Sequence, residues 1–298
     1  MNQITPTPDY LTGLDELIEE NAARLNVPGA AVAVLERGKV VYTKAVGHAD
    51  LKRKKPLAEA HLLPIGSSTK AFTATAAVML AEDGALDLDL PLRHYIPGFE
   101  LYDPVASREA TARDLLCHRT GLPRHEPMWM GWSDMKRSDL VTKYLRHLKP
   151  NKPFRSSWDY QNHMFAVIGY LVECITGKTW EEFVEKSIFK PLGITDYSFR
   201  YPDKDPENRY AKLYTPDDAG KNQENEPLRF DAMGPAGSII LPIGAFAKWV
   251  AFNLSGGKAG RKQLVEAARF SELHRPHMSY ELLPFTFEER FPVGYGLG

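Results

Sequence analysis

The run from Ala71 to Leu80 is apolar on every side of a helix, and it constrains the fold more than any other segment. It reads Ala-Phe-Thr-Ala-Thr-Ala-Ala-Val-Met-Leu. A surface helix carries a polar face, whereas a helix that is apolar all round lies inside a domain. The run is also too short to cross a bilayer. The sequence therefore predicts a buried helix at the centre of a globular domain.

A serine and a lysine stand three residues apart at the start of this helix, in the sequence Gly-Ser-Ser-Thr-Lys. Residues i and i+3 share a helix face, so the Lys70 amine can reach the Ser67 hydroxyl. Gly66 permits a tight turn, and the helix start directs unpaired N–H groups at the serine. This predicts Ser67 as an activated nucleophile with Lys70 as its partner. The alternative is a plain N-cap serine beside a solvated lysine, which the short motif alone does not exclude.

A second polar group follows ninety residues after Lys70, where Tyr160-Gln-Asn162 precedes another helix of small and apolar residues. A tyrosine oxygen near a lysine ammonium can be held partly or wholly as phenolate, which makes Tyr160 a candidate base. Asn162 offers both a donor and an acceptor to a substrate amide. The alternative is that Tyr160 and Asn162 merely cap the next helix. The two motifs in this order are much less frequent by chance than either alone.

The hydrophobic pattern along the whole chain predicts an α+β fold. The predicted elements are an amphipathic helix over 11–25, a β-hairpin from runs 30–35 and 40–46, mostly helices from 67 to about 200, a polar surface excursion over 200–230, and a helix over 245–252. The hairpin has its glycine in the turn Glu36-Arg-Gly-Lys. A hairpin beside a helix, a large helical insertion and then a return is an α+β arrangement.

With these motifs in place, the chain resembles the serine β-lactamase-like hydrolases. That family includes class C β-lactamases, D-alanyl-D-alanine carboxypeptidases (penicillin-binding proteins), D-aminopeptidases and related esterases. The segments that carry the resemblance, in chain order, are 63–74, 80–89, 111–123 with its sequence Leu-Leu-Cys-His-Arg-Thr-Gly-Leu-Pro, 235–239, 254–258 and 294–298. The likeness thus runs from about residue 11 to the end.

The resemblance implies an α+β fold of the serine β-lactamase and penicillin-binding-protein type. One catalytic domain would cover 11–298, with 11–62 and 235–298 forming an antiparallel sheet with flanking helices, 63–234 forming a mainly helical region, and the active site in the cleft between them. It further implies that Ser67 is acylated, Lys70 activates it, Tyr160 is a second base or acid, and Asn162 contacts the substrate amide. Ser67 would attack an amide, ester or lactam, and water or another acceptor would release the acyl group. Whether Lys70 or Tyr160 takes the serine proton stays open, because their titrations are coupled.

The family's third motif, Lys-Thr-Gly or His-x-Gly on a strand lining the cleft, is not found in its expected place. Lys178-Thr179 follows a helix and lacks the final glycine. His118 is one residue too far from Gly121, and a hydrogen-bonded loop histidine is the expected role. We therefore expect the C-terminal strands to be absent from this chain. The remainder of the same polypeptide, possibly as a separate chain, is expected to supply them as a partner.

Composition limits the remaining classes of function. The chain has 37 basic and 38 acidic residues and a formal net charge of −1, so neither a nucleic-acid groove nor a polybasic membrane surface is expected. Its two cysteines are too few for a disulfide framework or a zinc site, and no phosphate loop or dinucleotide fingerprint is present. The N-terminus lacks a secretory pattern. We expect a cytoplasmic enzyme without a cofactor or metal, which acts on a small molecule or peptide.

Three alternatives stay open at this stage. The chain could be a catalytically silent binding or regulatory member of the fold, although intact Ser67, Lys70, Tyr160 and Asn162 argue against it. A β-lactamase, or transfer of the acyl group to an acceptor other than water, also fits the motifs. The tryptophans Trp129, Trp132 and Trp158 fit an apolar acyl pocket and ordinary packing equally well.

Overall fold

The structure is a computed structural model, and it describes residues 8–130, 134–229, 231–281 and 290–293. Its helices are α1 (Leu14–Arg24), α2 (Thr69–Glu82), α3 (Pro104–Glu109), α4 (Ala112–Leu116), α5 (Glu126–Met130), α6 (Arg137–Asp139), α7 (Asn162–Thr176), α8 (Trp180–Val184), α9 (Lys190–Leu192), α10 (Gly234–Gly237), α11 (Ile243–Leu254) and α12 (Ala267–Ser271). Its strands are β1 (Gly29–Glu36), β2 (Lys39–Asp50), β3 (Lys55–Pro56), β4 (Leu63–Pro64), β5 (Leu213–Pro216), β6 (Asn222–Asn225), β7 (Ile240–Leu241), β8 (Lys258–Ala259), β9 (Lys262–Gln263), β10 (Met278–Glu281) and β11 (Arg290–Val293).

The chain forms two compact units. The first contains the residues up to Pro64 together with Leu192–Pro227 and Ile240–Ser255. The second contains Ile65–Pro191, Leu228–Ile239 and the residues from Gly256 on. Each unit is therefore assembled from segments that are distant in the sequence.

An antiparallel sheet of order β1-β2-β3 forms the centre of the first unit. The turn between β1 and β2 places Arg37 and Gly38 at φ of 50° and 76°. Two-residue hairpin turns need positive φ, which glycine adopts without strain. The predicted hairpin is confirmed, with α1 packed on β2 and α11 packed on β1 and β2.

The first unit has exposed apolar side chains and a strand edge without a partner among the described residues. No residue of α1 is buried, and Leu17 and Leu25 are 55% and 61% exposed. Within the described residues β1 pairs with β2 alone. Seven of the eight β1 residues, from Gly29 to Leu35, are apolar or glycine. Edge strands are ordinarily protected by charge, proline or a bulge.

Helix α2 forms the centre of the second unit. All its residues from Thr69 to Val78 are buried, together with Leu80 and Ala81. The helices α7, α8, α10 and α12 surround it. The buried central helix predicted from the apolar run is therefore confirmed, and Lys70 is the one charged side chain in the buried part of α2.

The unit boundaries differ from the expected division of the chain at two places. Residues 192–227 belong to the first unit, because β5 and β6 form a hairpin there and Lys212 N–H donates to the Ala49 carbonyl at 2.8 Å. Residues from Gly256 on belong to the second unit, where Arg113 pairs with Glu272 and α12 packs on α2. Both assignments depend on contacts between distant residues, which periodicity does not report.

None of the described helices is both long and apolar enough to cross a bilayer.

Candidate active site

Ser67 lies in a 3₁₀ turn, Gly66–Ser68, that leads directly into α2. Gly66 has φ 52°, so the left-handed turn before the serine uses the freedom of glycine. The Ser67 side chain is exposed. Its backbone N–H has no hydrogen-bond partner among the residues that the structure describes. A free N–H beside a serine hydroxyl is suited to stabilise an oxyanion.

The Lys70 side chain is buried, with 2% of its surface exposed. Its Nζ lies 3.1 Å from Ser67 Oγ and 2.7 Å from the Ala236 carbonyl oxygen. Burial, with a smaller contribution from the positive charge of Arg124, lowers the pKa of Lys70 to about 7. A neutral amine donates to the carbonyl and can still accept the serine proton. The solvated lysine of the alternative interpretation is therefore excluded.

Tyr160 contacts the same serine from the other side. Its hydroxyl donates to Ser67 Oγ at 2.6 Å, and Lys70 Nζ lies 4.7 Å from its ring centroid. Burial raises the pKa of Tyr160, against smaller opposing effects of the Ser67 hydrogen bond and the Arg124 charge. The raised pKa of Tyr160 and the lowered pKa of Lys70 both favour the neutral pair. This differs from the phenolate expected for Tyr160, because burial disfavours both charged forms.

The Ala236 carbonyl is held by the segment around α10. Thr73 Oγ1 donates to the Pro235 carbonyl at 2.7 Å, and Ile239 N–H donates to Thr69 Oγ1 at 3.2 Å. A Cβ added to Gly169 would lie 2.2 Å from Pro235 Cγ, so this glycine permits α7 to approach the segment. The carbonyl that binds Lys70 is thus fixed by two threonines of α2 and by a glycine of α7.

His118 supports the tyrosine. Its ring stacks on the Tyr160 ring with centroids 4.8 Å apart, and its Nδ1 accepts a hydrogen bond from Gln161 N–H at 2.9 Å. Its carbonyl accepts from Asp159 N–H at 2.9 Å, so the residues on both sides of Tyr160 are bonded to His118. Burial, with a smaller effect of Lys70, lowers the pKa of His118 to about 3. The expected hydrogen-bonded loop histidine is present, and it also packs against a site residue.

Asn162 is the first residue of α7 and is partly exposed. Among the described residues it makes no side-chain hydrogen bond to Ser67, Lys70 or Tyr160. The structure therefore brings three of the four candidate residues into direct contact and leaves the Asn162 amide without one of them. Gln161 is the N-cap of α7, and its side chain accepts from His163 N–H at 3.0 Å. Helix capping thus explains neither Tyr160 nor Asn162.

The remaining residues singled out in the sequence lie beside the site, cap a helix or lie outside the described residues. Trp158 lies beside the site, with its ring 5.7 Å from His118 and 6.1 Å from Tyr160. Trp132, the Trp129 side chain and the segment 294–298 lie outside the described residues. Thr179 is the N-cap of α8, as expected for a turn after a helix. In the part of the chain that the structure describes, no group of three or more His, Cys, Asp or Glu side chains could hold a metal ion.

Sequence reasoning did not find the Ala236 carbonyl, His118 as a tyrosine support, or Arg124. The carbonyl carries no side-chain signal, although 235–239 was conspicuous as a segment. Arg124 has one available signal, because it directly follows the recognisable Gly121-Leu-Pro loop.

A buried helix that begins at a Ser-x-x-Lys turn, together with an antiparallel sheet and its flanking helices, defines the β-lactamase and penicillin-binding-protein type of fold. The chain belongs to the beta-lactamase family, whose model matches residues 14–298. The expected family and fold class are both confirmed.

The curated relatives that the chain matches include a protein named a hydrolase. It is 30% identical over 259 residues to the unguisins hydrolase ungD′ of Aspergillus campestris, a match that covers 83% of this chain and 48% of that protein. It is 26% identical over 208 residues to the protein flp of Staphylococcus aureus, covering 65% of this chain and 39% of flp. The chain therefore spans about half the length, or less, of these curated relatives.

Solved structures share the fold. The octameric penicillin-binding protein homologue of Pyrococcus abyssi has a TM-score of 0.78 at 23% identity, covering 96% of this chain and 64% of that chain. The D-amino acid amidase of Ochrobactrum anthropi SV3, complexed with L-phenylalanine amide, has a TM-score of 0.78 at 23% identity, covering 97% and 80%. These two likenesses concern the fold.

Proposed function

We propose that this protein is a serine hydrolase that forms an acyl-enzyme on Ser67 with small amides, esters or D-amino-acid peptides. The observation that carries the proposal is the double contact of Ser67 Oγ, 3.1 Å from Lys70 Nζ and 2.6 Å from Tyr160 Oη. Relatives that are named an amidase and a hydrolase support cleavage of amide bonds. A hydroxyl that contacts two groups able to move its proton is suited to nucleophilic catalysis.

The proposed acylation step begins with proton transfer from Ser67 to neutral Lys70. Ser67 Oγ forms a bond to the substrate carbonyl carbon, and the Ser67 N–H stabilises the resulting oxyanion. The Tyr160 hydroxyl donates a proton to the leaving group as its bond to carbon breaks, and the Lys70 ammonium returns the serine proton to the Tyr160 oxygen. Asn162 contacts the substrate amide. Water then attacks the ester, which releases the acid and regenerates the serine.

Labelling with a fluorophosphonate or a reactive β-lactam tests the nucleophile. We expect one adduct on Ser67 by peptide mapping, and Ser67→Ala should abolish both labelling and turnover. Ser68→Ala is the matched control, because Ser68 is also exposed and its side chain makes no capping bond. An adduct on another residue, or labelling that survives Ser67→Ala, would contradict the assignment. A catalytically silent protein would give no adduct at all.

The proposal includes a partner segment that completes the sheet. β1 presents an eight-residue edge with little charge, and Leu17 of α1 and Leu25 directly after that helix are exposed. Unpaired apolar edges and patches favour association in water. The occupant we propose is the downstream remainder of the same polypeptide, present as part of the chain or as a separate chain. It would carry His-x-Gly or Lys-Thr-Gly and pair with β1.

Co-expression tests this partner. Residues 1–298 alone should be poorly soluble and low in esterase turnover, and the downstream segment of the same gene should restore both. The control is a downstream segment with proline at alternate positions of its pairing strand, because proline cannot donate to a β-ladder. Full activity and solubility of residues 1–298 alone would overturn this part of the proposal.

A further inference from the structure

Arg124 lies on the exposed side of the tyrosine that contacts Ser67. Its guanidinium carbon is 5.0 Å from the Tyr160 ring centroid, while Lys70 Nζ is 4.7 Å from the same centroid. The Arg124 side chain is 56% exposed, and the Ser67 side chain is exposed as well. Both side chains are therefore accessible to a molecule from the solvent.

The loop that carries Arg124 is fixed to the tyrosine segment. Gln161, which is wholly buried, donates from Nε2 to the Pro123 carbonyl at 2.5 Å. On the other side of Arg124, His125 Nε2 lies at hydrogen-bond distance, 3.0 Å, from the Lys149 carbonyl. Contacts of the two residues that flank Arg124 thus hold the loop at this point.

Only some of the N–H groups of the Arg124 guanidinium donate hydrogen bonds to the protein. Nε donates to Glu126 Oε1 at 2.9 Å, and Nη2 donates to the same carboxylate oxygen. Nη1 has no hydrogen-bond partner among the described residues, so its N–H groups and the second N–H of Nη2 are available. Two parallel N–H groups of an arginine match the two oxygens of a carboxylate.

The path from the guanidinium through the tyrosine to the serine is short. It consists of 5.0 Å to the ring centroid, half the ring, and 2.6 Å from Oη to Ser67 Oγ. This is roughly the length of three extended residues. A small substrate can therefore reach from the Arg124 guanidinium to Ser67 Oγ.

We propose that Arg124 binds a carboxylate of the substrate, so that the site selects acyl donors with an anionic group within this distance of the reacting carbonyl. The inference rests on the proposed function and adds the chemical class of the substrate. Glu126 shares the same guanidinium and offsets part of its attraction for that carboxylate. Substrate charge, and not substrate size alone, is then a determinant of specificity.

Two esters with the same leaving group test the proposal. The p-nitrophenyl monoester of adipic acid carries a free carboxylate, and methyl p-nitrophenyl adipate is its neutral counterpart. Rates are measured at pH 9, above the pKa of about 7 of Lys70, so that loss of the Arg124 charge does not change the ionisation of the lysine. We expect kcat/KM to favour the charged ester by about tenfold or more, the usual effect of charge-assisted hydrogen bonds.

Variants test whether the preference for the charged ester comes from Arg124. Arg124→Gln should remove the preference, through a raised KM for the charged ester, so that the ratio of kcat/KM for the two esters approaches one whatever change in rate the two esters share. Glu126→Gln should strengthen the preference. Arg108→Gln, which removes an exposed charge with no contact to the site, should leave the ratio as it is. An unchanged ratio in Arg124→Gln, or equal rates for the two esters in the unaltered protein, overturns the proposal while acylation of Ser67 stands. If neither ester acylates Ser67, the proposed function falls together with it.

Discussion

Lys70→Met is expected to lower kcat by about 10²-fold or more and, at the same time, to raise the stability of the protein. The loss of activity is the ordinary contribution of a general base. The gain in stability follows because the buried amine has a pKa of about 7, against an ordinary value of 10.5. Methionine keeps the unbranched stem and removes the group that burial penalises.

The size of this gain in stability depends on pH. Between pH 7 and 10.5 the unfolded chain binds more protons at Lys70 than the folded chain, so the stability of the unaltered protein rises with pH across this window. At pH 7 the variant should gain roughly 2 kcal/mol, after subtraction of the hydrogen bond lost at the Ala236 carbonyl. It should also lack the pH-dependent rise. Urea unfolding at pH 7 and at pH 10 measures both.

The control for Lys70→Met is Lys186→Met, since Lys186 is exposed on the surface of the second unit. We expect it to change stability by no more than about 0.5 kcal/mol. A destabilised Lys70→Met protein with a pH profile like that of the unaltered chain would mean that Lys70 is charged when buried.

In the active protein, kcat/KM should rise with pH through about 7, because the neutral amine is the base. Burial is the main cause of this lowered pKa of Lys70, with a smaller contribution from the positive charge of Arg124.

Tyr160→Phe is expected to lower turnover by about 10²-fold or more while the fold is retained. Only the hydroxyl is removed, so the ring can still stack on His118. The hydrogen bond of 2.6 Å to Ser67 Oγ is lost, and with it the proposed proton path to the leaving group. Steady-state turnover of an amide substrate measures the effect, because a poor leaving group needs the proton most.

Tyr102→Phe is the matched control for the tyrosine, because Tyr102 is 51% exposed and its hydroxyl makes no hydrogen bond among the described residues. Its turnover should equal that of the unaltered protein. Tyr160→Phe with unchanged amide turnover and a normally labelled Ser67 would remove Tyr160 from the mechanism. Esters with good leaving groups should be much less affected, which separates proton donation from a loss of structure.

The sequence was sufficient to predict those parts of the fold and site that depend on local spacing. The β1–β2 hairpin follows from two apolar runs around a glycine turn, and the buried α2 follows from its lack of a polar face. The closeness of Ser67 and Lys70 follows from the i, i+3 relation. Tyr160 could be placed beside them because the motif order resembles a known family.

The remainder depends on contacts between residues far apart in the chain. The Ala236 carbonyl that holds Lys70 is 166 residues away from it and belongs to the backbone, so no residue type identifies it. The neutral state of Tyr160 depends on how deeply the ring is buried, which the sequence does not state. The return of residues 192–227 to the first unit is likewise decided by hydrogen bonds to β2 and its neighbours.

The stacking of His118 on the Tyr160 ring has a consequence for how the protein responds to acid. A histidine ordinarily gains its charge near pH 6.5, within the range where many cellular compartments differ. Because the pKa of His118 is lowered to about 3, its ring stays neutral throughout that range. Its Nδ1 therefore continues to accept the Gln161 N–H, and the tyrosine keeps its orientation, in mildly acidic surroundings as in neutral ones. Protonation of Lys70 in mildly acidic medium would then lower the proposed activity, while the contacts of His118 with Gln161 and with the Tyr160 ring persist.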